Sequence, residues 1–140
     1  MTRRPRLSRR AALAAFAAVS VTAPWAFAGS YLNRAAILLE SGDNEAKLLS
    51  RRFFDKELAR VTHRLALARA EAARDMEVPE EVTLAHPHLL LALESYERSS
   101  DAAVRNNHEE FLVALSRARE ESRIFVAVLK QSGWSLPNVS

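Results

Sequence analysis

The chain has 140 residues, with 20 Lys and Arg against 17 Asp and Glu, and it contains no cysteine. That length holds one core of modest size. The missing thiols exclude disulfides, a covalently attached c-type haem and any thiolate metal centre, so stability rests on packing.

Residues 1–28, MTRRPRLSRRAALAAFAAVSVTAPWAFA, read as an export signal. Five arginines and no acid stand in the first ten positions, and an alanine-heavy apolar run begins at Ala11. Ala26-Phe27-Ala28 supplies the small-x-small pattern of a cleavage site, with the cut after Ala28. Ser8-Arg9-Arg10-Ala11-Ala12-Leu13 resembles the twin-arginine signal, although Ala12 stands where that pattern prefers a bulky apolar residue. The general secretory route stays open, as does a mitochondrial presequence, which is also arginine-rich and free of acids. The run over 11–28 is mostly alanine and interrupted by Pro24, a poor membrane span. No integral span is therefore expected after cleavage, and the product is expected in the periplasm or outside the cell. Removing the five arginines leaves 15 basic against 17 acidic residues, a formal charge of about −2. The electrostatic case for a nucleic-acid partner goes with them.

Residues 29–140 read as a single helical domain with a short tail at 133–140, punctuated at a few places only. Ser30 can cap a short first helix over about 31–40, closed by Ser41-Gly42. Asp43 then caps a long second helix over about 44–76, which contains no Gly or Pro and would run about 50 Å. Val78-Pro79-Glu80-Glu81 opens a connector with room for one helical turn. A third helix spans about 87–105, with Pro87 at its first position. Asn107 caps a fourth over about 108–131, with Glu110 placed for a capping box. Lys130 suits the last turn, Gly133 is the stop signal and Pro137 forbids a restart.

Apolar residues recur at alternating intervals of four and three in each main helix. The second helix carries Phe54, Leu58, Val61, Leu65, Ala68 and Ala72; the third Leu89, Leu93, Tyr96, Ser100 and Ala103; the fourth Phe111, Leu115, Ala118, Ser122, Phe125 and Leu129. Three stripes of one period imply coiled-coil-like packing, and no strand alternation is visible. The expected class is all-α: an antiparallel bundle of three main helices plus a short N-terminal one. Leu89, Leu90, Leu91 and Leu93 surround the third helix, which marks it as the central element. The N-terminal part of the second helix, with Leu48, Leu49, Phe53 and Phe54, needs cover from the first helix or from a second subunit.

Candidate sites are few. Arg52, Lys56, Arg60 and Arg64 follow at intervals of four, a row that could face anionic lipid headgroups, envelope polysaccharide or an acidic partner. Interleaved Asp55 and Glu57 favour an ordinary solvated face over that strip. His63, His86, His88 and His108 are the transition-metal candidates, with His86 and His88 the foremost pair, but no HExxH or ExxH accompanies them. No GxSxG elbow and no phosphate-cradling glycine loop occurs. Trp134 and Leu136 in the tail could dock over a helix end or anchor a partner. The expectation is an exported binding or structural module of the cell envelope, not an enzyme, with no cofactor. Protein partners or self-association are open to it. A metal- or small-ligand-carrying bundle and an envelope-surface binder using the basic row are the alternatives.

Overall fold

The computed structural model describes residues 23–138, with side chains from Phe27 onward. Four helices follow in order: α1 (Ala23–Arg51), α2 (Lys56–Arg74), α3 (His86–Val104) and α4 (His108–Gln131), with a 3₁₀ turn at Glu80–Val82 between α2 and α3. No strand occurs among the described residues, and the helices pack on one another. The class is all-α, and the expected third and fourth helices lie within a residue of their expected bounds. As the all-round leucines implied, α3 is central: it packs chiefly on α4 and α2, and α1 lies across the other three.

The division of the N-terminal half differs from the expected one. Instead of helices over 31–40 and 44–76, α1 runs unbroken through Ser41-Gly42 and the chain breaks at 52–55. Gly42 is not a stop but a contact. A Cβ there would stand 3.0 Å from Cδ2 of the buried Tyr96 ring, so glycine lets α1 and α3 approach. The actual cap is Asp55, whose side chain accepts from the Leu58 amide at 3.0 Å, with Glu57 in the first turn beside the helix dipole. Ser30 and Asp43, read as caps, lie inside α1. The break sends Phe53 into the core, ring to ring with Phe111 at 5.4 Å and His108 at 4.7 Å, while its neighbour Phe54 points out.

The α3–α4 hairpin closes as two helix signals share three residues. Asn106 takes the left-handed conformation (φ 58°) and donates to the Ala103 carbonyl, while Asn107 donates to that of Ala102. Asn107 also caps α4, its Oδ1 accepting from the Glu110 amide at 3.1 Å. Its backbone N–H is already given to Ala102, so the Glu110 carboxylate accepts from the Asn107 side-chain amide instead. The same device ends α4: Gly133 (φ 83°) donates to Lys130, and Trp134 to Leu129. Trp134 and Leu136 are thereby laid against the core, so the tail docks.

The α3 stripe is buried throughout, and the α4 stripe is buried except for half-covered Ser122. Each large apolar side chain among them contributes about 1.5–3 kcal/mol. The α2 stripe is the correction. Phe54 is 80% exposed, Val61 53% and Leu65 46%; Ala68 and Ala72 are exposed and Leu58 is half-covered. The side that α2 buries is Ala59, Thr62, Ala66, Ala70 and Ala73. It meets a face of α3 that includes Ser95, Ser99 and Ser100. Ser99 and Ser100 turn their hydroxyls back onto the Tyr96 and Glu97 carbonyls at 2.8 Å, so this small-residue contact buries no unsatisfied hydroxyl. Small side chains permit close backbone approach, and that outweighs the bulk of the opposite stripe.

Candidate functional site

An open groove of about 600 Å³ lies between α1, α4 and the tail, floored in part by Tyr96 of α3. Ala36 and Leu39 of α1, Val126 of α4, and Leu136 with Pro137 of the tail make its apolar walls. Its polar groups converge on Asp43. Lys47 pairs with Asp43 Oδ2 at 2.7 Å, Arg119 Nε donates to Oδ1 at 3.1 Å, and the Tyr96 hydroxyl donates to Oδ1 at 3.4 Å. Partial burial alone would raise the Asp43 carboxyl, but the hydrogen bonds and charges of Lys47 and Arg119 outweigh it and hold the group below its usual value. Burial and then the Asp43 charge push the Tyr96 phenol up to about 12, which keeps it a donor. Arg123 and Ser122 line the α4 wall and Glu40 the α1 wall. Three cations and two carboxylates thus line an apolar trough, with Arg123 paired to Glu120 beside it at 2.8 Å, a size and composition typical of small-ligand sites.

Helical periodicity explains how these groups meet. Asp43 and Lys47 are four apart, one turn along one face of α1. Arg119 reaches them from α4, 76 residues away in sequence. In the sequence Asp43 reads as a cap and Tyr96 as a core position, and Lys47 and Arg119 carry no signal beyond that Asp-Lys spacing.

The basic row does not form one anion-facing strip. Lys56 donates to the Ala103 carbonyl at the end of α3 (3.1 Å) and lies over the Phe53 ring. Arg60 pairs with Glu57 at 3.0 Å, while Arg52, in the α1–α2 turn, and Arg64 stand exposed.

The histidines turn to separate partners. Tyr31 of α1 donates its hydroxyl to His86 Nδ1 at 2.8 Å, and the His86 ring also bonds the Ala73 backbone at the end of α2. Burial depresses His86 below its ordinary value, and the Ala73 bond only partly opposes this. His88 donates to Glu121 of α4 at 2.8 Å and His63 to Glu97 of α3 at 2.9 Å. His86 and His88 therefore clamp different helix pairs. Among the described residues no group of three or more His, Asp or Glu side chains converges to hold a metal ion.

Ala26 and Ala28 lie in the first turns of α1, and Ala28 is fully buried. Residues 1–22 of the proposed 1–28 signal lie outside the described residues. No helix among the described residues is long and apolar enough to cross a membrane. Comparisons with protein-family models, with curated proteins and with solved structures find no match to this chain.

Proposed function

We propose that the protein is an exported helical binding module of the cell envelope, and that its ligand is a small amphiphile with an anionic head. The groove carries this reading. An apolar chain or ring fits against Ala36, Leu39, Val126 and Leu136, and Lys47, Arg119 and Arg123, held by Asp43 and Glu120, offer N–H donors to an anionic end. Asp43 pre-organises two of those cations, so little side-chain ordering remains for the binding step. The arginine-rich, acid-free start followed by an apolar alanine run supports export.

Calorimetric titration with dodecanoate and dodecyl phosphate, each below its micelle concentration, tests the reading. Saturable binding is expected. Val126→Trp, which fills the trough without touching the Asp43 network, should abolish it, and Arg123→Gln should weaken both anions against dodecanol. No binding of either probe, or equal binding by Val126→Trp, overturns the ligand assignment.

A further inference from the structure

The outer face of α2 is the largest departure of this fold from what its sequence pattern demands. Val61 and Leu65 of α2 stand about half exposed beside the half-covered Leu58, and Phe54, 80% exposed, stands in the turn that leads into the helix, while the small residues of α2 pack on the core. Glu57 and Arg64, both exposed, border those residues on the solvent side, one heptad apart and of opposite sign; the pair that Glu57 makes with Arg60 is itself exposed and weak enough to exchange. We propose that this face is a self-association surface, on which a second copy of the chain lays its own α2 antiparallel. In the pairing Leu58 of one copy meets Val61 of the other, Leu65 reaches the turn that carries Phe54, and Glu57 stands beside Arg64.

Charge complementarity selects the occupant and the register. When Leu58 stands opposite Val61 of the second copy, helical rise brings Glu57 level with Arg64 of that copy, and the twofold axis repeats the pair. Leu58 and Val61 then fall in matched layers, with Leu65 over the turn at Phe54. Sliding by one heptad sets Glu57 against Glu71 and Arg64 against Arg64, and replaces two bulky contacts by Ala68 and Ala72. Like charges in that alignment act against it. The interface joins about two turns of each helix and the turn before it, shorter than a standard stable interface, so the dimer forms with rising concentration and does not persist on dilution. Exposed charge pairs add little affinity but decide register.

Sedimentation equilibrium of the purified protein across micromolar to millimolar concentration tests the pairing, with circular dichroism to report the fold. A monomer–dimer equilibrium is expected. Val61→Glu and Leu65→Glu should weaken it tenfold or more and leave the helical spectrum unchanged, because both positions are already half exposed. Glu57→Arg alone and Arg64→Glu alone should each weaken it several-fold, and the double exchange should restore it. Should Val61→Glu unfold the chain, Val61→Ser provides the same reading with a smaller loss. A monomer at every concentration overturns the proposal, whether the face stays bare or takes another partner. A dimer indifferent to the seam variants, or one whose single charge variants are not rescued by the exchange, overturns it equally.

Discussion

At single positions, Gly42 and Asp43 show how neighbouring residues serve different ends. Gly42→Ala gains about 1 kcal/mol of helix propensity but pushes a methyl group to 3.0 Å from the packed Tyr96 ring. Overpacking of this kind costs about 1–3 kcal/mol, so the net expectation is a lower urea midpoint. A midpoint equal to or above the parent would show that the ring yields freely. Asp43 and His86 set the acid side of stability. Both are held below their ordinary values in the folded state, so the unfolded chain binds more protons as pH falls. The His86 contribution is intact above its ordinary 6.5 and declines as pH drops from there toward the depressed folded value. That of Asp43 is intact above 3.8 and declines below it. Melting temperature against pH should therefore fall in two steps. His86→Gln, which keeps an acceptor for the Tyr31 hydroxyl, should remove the first step and leave the second.

At the scale of elements, the break between α1 and α2 was written in the sequence but outweighed by a louder signal. Asp55 followed by Glu57 is a proper helix start, yet Ser41-Gly42 is the more familiar stop. What decided between them was tertiary. Phe53 reaches Phe111 only if the chain turns at 52–55, and Gly42 passes beneath Tyr96 only if α1 continues. Asp55→Ala should cost about 1 kcal/mol in chemical denaturation. Arg69, tied to Glu45 across α1 and α2 with both side chains largely covered, is the stronger test. Arg69→Ala leaves a half-buried carboxylate unpaired and should cost about 2–3 kcal/mol, read as a shift of the urea midpoint. By contrast, the α3–α4 hairpin was fully legible, because Asn106, Asn107 and Glu110 specify their geometry locally.

At the scale of the whole molecule, the N-terminus and the groove carry the tests of the proposed export and ligand binding. Ala28 is buried inside α1, so a cut after it requires an unfolded chain, as export through the secretory route would provide. The intact mass of exported protein is expected to correspond to a start at Gly29, and its urea midpoint to lie below that of a chain starting at Ala23; a mass retaining residues 1–28 would remove the signal assignment. Deleting 135–138 should open the groove by removing Leu136 and Pro137, and lower probe affinity more than it lowers stability. The sequence by itself determined the all-α class, the α3–α4 hairpin, the central place of α3 and the thiol-free chemistry, because these follow from periodicity, capping and composition along the chain. Only the tertiary structure decided which face of α2 is buried, because periodicity marks an apolar stripe without naming its partner and small residues let backbones approach more closely. It alone brought Asp43, Lys47, Tyr96 and Arg119 together, since a groove is made by surfaces that meet from distant parts of the chain.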